Sequence, residues 1–573
     1  MGRRHGRVRA ERAGPRMPEK SLFERNLLAL SMYNSGLARE LSAEHGTTSG
    51  CRVVFQRAKT GSLIPALGED SSALPLHSTF NPEREGERFK ELYTGNGFLL
   101  FLGMGAGYHI APFLAQPEVS SILIIEESLP LFRTILEHID CHHIFLDPRV
   151  KVLVDKSSRE IEEYLLATYI PALLGDLKSI PLWPRFNASR EYFKGVLKTV
   201  EETINQIADD YSVQAAFGKK WFANTLSNLP TAEFTSTTLS PRKKVMVTGA
   251  GPSLEDSIKE VKKLRKEYFL IASDTSLPCL MAHDCPPDCV ISIDCQQVSY
   301  HHFLAGYPRG IPLLLDLASP PVLTRLSDKL LFFSSGHPFS QFVNRNWRRF
   351  PFIDTSGGNV SHAAVSLAVN LGAREIALFG VDFSYPEGKT YARGTYLYRH
   401  FQSRETRFMP AETRFLNLIF RNKTVLRERD SGFLRYTIKP LLTYKESLET
   451  FAGRIEARIV HRRVKGQSLA VPANPGGPAG GINELFAAGP AGTSAREFLF
   501  EYREALFTLT RPFNPVVNYL HSLNKDERDL WTTLLPALAA LRVEARGETP
   551  DGALLLEKTR QYALARLIAL VRE

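Results

Sequence analysis

Cysteine is scarce in this chain, with six among 573 residues. A disulfide-stapled scaffold is thereby excluded, and a reducing compartment is the simplest reading. No uncharged apolar run reaches the ~18–20 residues that a membrane helix needs. Residues 1–16 hold six arginines, one glutamate and no apolar core, so they do not read as a secretory signal. They read as a basic, disordered arm, or as residues upstream of a start at Met17. Charge of one sign is also in short supply. Lys and Arg number 71 against 61 Asp and Glu, a net of +10, half of it in that arm. The remainder is too slight to point to nucleic acid. There is no internal repeat, no long low-complexity segment, no His-Glu-x-x-His and no nucleophile-elbow pentapeptide. Hydrophobic residues at 43% and charged residues at 23% are globular values, which excludes a mostly disordered or fibrous chain.

Apolar patterning then divides what is present. An amphipathic helix is expected over 20–45, short strands over 51–80, and a helix opened by Asn81-Pro82-Glu83 and running to about Leu92. The first α/β signal is 97–127: GFLLFLG as a buried strand, a Gly-rich turn entering a helix, then SSILIIEE. A helical stretch follows over 128–240. A second series begins at Lys244, with VMVTGAG, YFLIASD, CVISID, GIPLLLD, LLFFSS and IALFGVDF as strands. Strand alternating with helix argues for a parallel sheet covered on both faces. Beyond Gly388 the chain turns basic, then helical at about 440–465. The fold class expected is α/β: a Rossmann-like N-terminal domain, a Rossmann-like parallel-sheet central domain and a helical C-terminal region. The boundaries read as an arm at 1–19, an N-terminal domain at 20–240, a central domain at 241–470, a Gly/Pro-rich linker at 471–493 and helices at 494–573. Those last helices serve either to dock a partner or to cap the central domain.

Gly103, Gly105 and Gly107 sit at a strand-to-helix turn, with Glu126 closing the next strand about 20 residues on. That spacing suits a dinucleotide or S-adenosylmethionine site, and equally a turn packed for its own sake. Gly249-Ala250-Gly251-Pro252-Ser253 also follows a strand and opens a helix. Ser253 is the expected N-cap, with Asp256 in capping-box position. Free N–H groups there would face a phosphate. Ser273-Asp274-Thr275, Asp294, Ser334, Ser335, His337, Ser356-Gly357-Gly358-Asn359 and Asp382 stand at or near the ends of strands. Open α/β sheets bind ligands at that edge.

Other readings weaken on spacing. Gly388-Lys389-Thr390 lacks the glycine that a Walker loop needs, and Cys279, Cys285, Cys289 and Cys295 lack zinc-pair spacing, so buried thiols are expected and no metal site. His301-His302 reads as surface and His362 as structural.

Taken together, VTGAGPSL, PPDCVISID and SGGNVSHAAVSLAVNLGAREIALFGVDFSYPEGKTYA resemble the motility accessory factor (Maf) family of bacterial flagellin glycosyltransferases. That family shares its core with archaeal 6-hydroxymethylpterin diphosphokinase. LHSTFNPEREGERF and FLGMGAGYHI look like its N-terminal domain, and the resemblance covers most of 20–470. The core also resembles bacterial sialyltransferases that use CMP-sialic acid. There a Gly-x-Gly-Pro-Ser-Leu turn binds the nucleotide, matched here by Gly249, Gly251, Pro252 and Ser253, with Ala250 where that family has Asn. Their later Ser-Gly turn matches Ser356 and Gly357. Their phosphate-holding tyrosines match Tyr385 and Tyr391, displaced by one residue, and their downstream His base corresponds to His400 at a different spacing.

The resemblance implies transfer of a nonulosonic acid, pseudaminic or legionaminic in type, from a CMP-activated donor to Ser/Thr of flagellin in the cytoplasm. His400 or Asp294 would be the base. Tyr385, Tyr391 and Lys389 would hold the phosphate, and Asp274 the ribose or sugar, with Thr275, Gly358, Asn359 and Asp382 around them. No tightly bound cofactor is implied, and Mg²⁺ is an ion the site could take. Two alternatives stand beside this: an ATP-dependent diphosphokinase-like transferase, and an inactive flagellin-binding factor.

Overall fold

The computed structural model describes residues 21–43, 52–69, 72–93, 97–430, 432–462, 465–472, 485–545 and 551–572. The basic arm lies outside these, as does 473–484 of the Gly/Pro-rich stretch. The chain forms two compact units. The first comprises the described parts of Met1–Ser212, Arg511–Leu523 and Pro550–Leu555; the second comprises those of Val213–Thr510, Asn524–Thr549 and Leu556–Glu573.

In the first unit, short strands β1 (Val53–Arg57), β2 (Leu63–Leu67) and β3 (Leu74–Pro75) make a small antiparallel sheet. The helix Pro82–Leu92 begins where Asn81 accepts the Arg84 N–H at 2.8 Å. Four parallel strands follow: β4 (Gly97–Leu102), β5 (Val119–Glu126), β6 (Val150–Val154) and β7 (Asp176–Pro181), in the order β6-β5-β4-β7. Every residue of β4 is buried, as befits a strand covered on both faces.

The second unit is built on seven parallel strands: β8 (Lys244–Thr248), β9 (Phe269–Ser273), β10 (Cys289–Ser292), β11 (Leu313–Asp316), β12 (Leu330–Phe333), β13 (Glu375–Phe379) and β17 (Arg458–His461). Their order is β12-β11-β10-β9-β8-β13-β17. All six apolar runs are strands. The seventh, β17, lies where a helix was expected; the helix Lys439–Ala452 stops short of it. Four residues at a sheet edge, flanked by arginines, carry too little apolar pattern to stand out. The helix Val360–Asn370 lays Ala363, Ala364, Leu367 and Ala368 on the same core as Val247, Ile271 and Ile291. Its small residues let it lie close to the sheet. Between β13 and β17 the basic segment forms two helices (Tyr396–Gln402 and Ala411–Phe420) and the sheet of β14 (Tyr385–Pro386), β15 (Val425–Asp430) and β16 (Phe433–Ile438).

The C-terminal region is helical: Ala495–Thr508, Val516–Ser522, Lys525–Glu544 and Gly552–Arg572. Within the second unit Tyr502 packs on Phe339 and Phe342, and its hydroxyl meets Thr533 Oγ1 at 2.5 Å. Phe486 and Ala491, in the stretch read as a linker, bridge to Leu239 and Arg348.

Candidate functional site

Strand β8 lies where the chain order reverses, with β9 on one side and β13 on the other. In open parallel sheets the crevice at such a point, outside the carboxyl ends of the strands, receives the ligand. Two turns meet there. A Cβ on Gly249 would stand 2.6 Å from the Gly380 carbonyl oxygen, and one on Gly380 2.5 Å from that of Gly249. Only glycine permits this backbone-on-backbone approach, and Gly380 also has a left-handed φ of 64°.

The Gly-Ala-Gly-Pro-Ser turn differs from expectation. Gly249 donates its N–H to Phe379 O at 2.9 Å and Gly251 donates to Gly380 O at 2.8 Å. Ser253 donates its N–H to Asp382 Oδ2 at 2.9 Å, and its hydroxyl donates to Asp382 Oδ1. These N–H groups are therefore already taken. Ser253 is not the N-cap: the helix Ser253–Leu264 is flanked by Pro252, with no side-chain cap. The reason is Asp382, a buried carboxylate at the positive end of the helix, where an external anion was expected. Burial pushes the Asp382 carboxyl up, and the bonds from Ser253 pull against that.

Beside this turn opens a pocket of about 280 Å³. Of the residues expected at the donor, Gly251, Thr275, Asn359, Asp382, Tyr385 and Tyr391 line it. Sequence reasoning missed Tyr444, Leu441, Phe383 and Thr390, which also line it. Phe383 has a φ of 45° and was detectable only from the backbone. The Thr390 hydroxyl is buried without a partner, a group that a ligand could satisfy. Burial pushes the Tyr385 phenol up to about 12, with Tyr391 adding to it; burial and then Asp274 raise Tyr391. Both phenols are thus O–H donors at neutral pH, and the charge of Arg421 reaches both.

The remaining candidates lie around or away from this pocket. Asp274 is buried and accepts from Ser292 Oγ at 2.6 Å and from the Thr275 N–H at 2.7 Å. Asp294 accepts the Gln296 N–H at 2.9 Å; burial raises its carboxyl, and the negative Asp274 adds to that. Gly249, Pro252, Ser253 and Lys389 are not among its lining residues. Ser356 donates its N–H to Asp354 Oδ1 at 2.9 Å, Gly357 packs on His362, and Gly358 lies beside Tyr444. Asn359 caps the next helix by accepting the His362 N–H at 3.0 Å. His400 lies in a different pocket, with His301 and His302, which are half-buried rather than on the surface.

In the first unit the Gly103 turn is filled by the protein itself. Met104 donates its N–H to Glu126 Oε2 at 3.2 Å and Ala106 donates to His77 Nε2 at 2.9 Å. Arg185 lays its chain over Gly103, where a Cβ would meet its Cγ at 2.5 Å, and pairs with the buried Glu126 at 2.6 Å. The four clustered cysteines are buried and reduced, with burial pushing the thiols of Cys279 and Cys295 up to about 12. Among the described residues, no group of three His, Cys, Asp or Glu is placed to hold a metal. None of the helices there is long and apolar enough to cross a membrane.

Comparison with known proteins follows this geometry. Residues 219–388 match the family model "6-hydroxymethylpterin diphosphokinase MptE-like", the stretch that holds β8–β13. An uncharacterised protein of Treponema pallidum (strain Nichols) is 37% identical over 152 residues, 26% of this chain and 54% of its own length. The chain thus spans about half of that relative. A second from the same organism, also uncharacterised, is 30% identical over 167 residues, 28% of this chain and 79% of its own length. The solved structure of a Maf glycosyltransferase from Magnetospirillum magneticum AMB-1 aligns over 96% of this chain and 95% of its own, with a TM-score of 0.56 and 14% identity. The chain accordingly belongs to one family with the second T. pallidum protein, carries an MptE-like domain at residues 219–388 and has the Maf glycosyltransferase fold.

Proposed function

We propose that the chain is a glycosyltransferase that moves a nonulosonic acid, pseudaminic or legionaminic in type, from a CMP-activated donor to Ser/Thr of flagellin. The work would be done in the cytoplasm and would support flagellar assembly and motility. The observation that carries this reading is the pocket at the β8/β13 switch point, lined by Tyr385, Tyr391 and Tyr444. The likeness of fold to a Maf glycosyltransferase supports it.

Departure of CMP leaves negative charge on its phosphate. Tyr385 and Tyr391, kept protonated by burial, are placed to donate hydrogen bonds to that charge as it develops. Asp294 is the base in this scheme. Burial and Asp274 raise its proton affinity toward the range in which a carboxylate can accept a hydroxyl proton. The acceptor oxygen bonds to the anomeric carbon, the bond from that carbon to the phosphate oxygen breaks, and the proton passes to Asp294.

The test is CMP release from a CMP-nonulosonate, with and without flagellin, by wild type, Tyr385→Phe/Tyr391→Phe and Asp294→Asn. The reading expects flagellin-dependent release that falls at least about 100-fold in the double tyrosine variant. No release by wild type overturns it. The MptE-like match favours a second reading, a diphosphokinase-like transferase. It predicts stabilisation by ATP with Mg²⁺ and none by CMP or CTP.

A further inference from the structure

A second pocket lies in the same unit, and nothing above assigns it a role. Its volume is about 310 Å³, and its polar lining is His301, His302, Tyr396, Arg399, His400 and Ser403. We propose that this pocket binds an oxyanion, the carboxylate or phosphoryl group of a small ligand.

Three observations carry the inference. First, His301 and His302 each bury Nδ1 without a hydrogen-bond partner. A buried polar atom left unpaired is costly, so two adjacent imidazoles in that state are not bracing the fold. Both residues line the pocket, where a turn of either ring would present that nitrogen to a ligand.

Second, the pocket holds a guanidinium, Arg399, and stands in a cationic segment of the chain. The segment 393–439, which supplies Tyr396 to Ser403, carries eleven Lys and Arg against four Asp and Glu, a net of +7 in a chain whose total is +10. Arg399 lines the pocket, and Arg404, His301 and Arg414 act together on His400. Burial first, and then the charges of Arg404 and Arg414, hold the His400 imidazole below its ordinary value. The carboxylate that reaches this cluster is Asp294, through His302. Three histidines alone would suggest a metal. Here the flanking guanidinium groups repel a cation, and among the described residues no metal-holding group of three is formed. An oxyanion answers both the charge and the donors, because arginine and imidazole N–H groups make charge-assisted bonds to it.

Third, the pocket shares its loops with the tyrosine pocket. Thr275 and Pro278 lie three residues apart, as do Tyr391 and Gly394, and in each pair the first residue lines one pocket and the second the other. A ligand or substrate arm held by the histidines is thus next to the site at the strand edge. The proposal does not depend on the identity of the donor there.

The test is calorimetric titration of the full chain with two probes: inorganic phosphate, and N-acetylneuraminic acid as a free carboxylate. CMP is titrated in parallel. Saturable binding of either probe is expected, and whichever binds identifies the source. Affinity should fall at least about tenfold in His302→Ala and in His400→Ala, the value of one lost charge-assisted bond. His302→Gln, which keeps a donor and the approximate shape, should retain more affinity than His302→Ala. CMP affinity and the unfolding curve should be unchanged in all three variants, which separates this site from the tyrosine pocket and from misfolding. Absence of saturable binding of both probes up to about 10 mM overturns the proposal. So does wild-type affinity in both alanine variants.

Discussion

Gly251→Ala is a sharp test of the turn that meets Asp382. The added methyl would lie 2.7 Å from Asp382 Cγ, closer still to its Oδ2, and 2.7 Å from Gly380 O. One of these is backbone, fixed by the hydrogen bond from Gly251 N–H, so the carboxylate must move. It cannot move freely, because Ser253 holds it by both N–H and hydroxyl. Displacing it forfeits a hydrogen bond to a charged group, about 1.5–3 kcal/mol. Overpacking adds about 1–3 kcal/mol. The sum, about 2.5–6 kcal/mol, is a large share of the ~5–15 kcal/mol that a domain has. In urea unfolding this should lower the midpoint of the second unit by about 1 M or more. Gly310→Ala is the internal control: a Cβ there meets nothing within 4 Å and φ is not positive. Its stability should stay within about 0.5 kcal/mol of wild type or rise slightly. If Gly251→Ala unfolds at the same midpoint as Gly310→Ala, the close-packed account of the turn is wrong.

Arg185→Met should destabilise the first unit by about 3–5 kcal/mol, because it leaves the buried Glu126 unpaired; adding Glu126→Gln should recover part of the loss in a denaturation series. Asp316 is fully buried and burial raises its carboxyl, so the folded state holds that proton more tightly than the unfolded state does. Its contribution is therefore greatest at low pH. It is lost as pH climbs from the unfolded value, about 3.9, through the raised folded one. Asp316→Asn removes that slope, so its stability relative to wild type should improve as pH rises above about 3.9. A pH-independent difference would contradict the assignment.

Strands β4, β5 and β8–β13 were legible because buried strands are short apolar runs, and GFLLFL or LLFF has no other good use, whereas β6 and β7 lie in the 128–240 stretch expected to be helical and, like β17, were missed. The glycines at the turns were legible as turns. What they do there was not. Ser253 looked like a helix cap because capping chemistry is local, whereas its true partner, Asp382, is 129 residues away. Likewise Gly103 suggested a ligand, while the group lying over it is Arg185. A spacing rule reads one segment at a time and cannot tell an external phosphate from the chain's own carboxylate or guanidinium. Tyr444 escaped for the same reason, since it stands in no motif and only the folded chain brings it beside Tyr391, while Thr390 was weighed only as part of a Walker ending. His301-His302 read as surface because two adjacent polar rings carry no periodicity.

The way the last sixty residues are shared out has a consequence for synthesis. Arg511–Leu523 and Pro550–Leu555 complete the first unit, while Asn524–Thr549 and Leu556–Glu573 complete the second. A ribosome finishing Ser212 has therefore not finished the first unit, which still awaits Arg511–Leu523 and Pro550–Leu555. Domains ordinarily settle in order of emergence, N-terminal first. Here both units draw on segments made after residue 510, so neither is whole when residues 1–510 have emerged. An early stop or a late frameshift strips both at once, so a shortened transcript encodes no intact half.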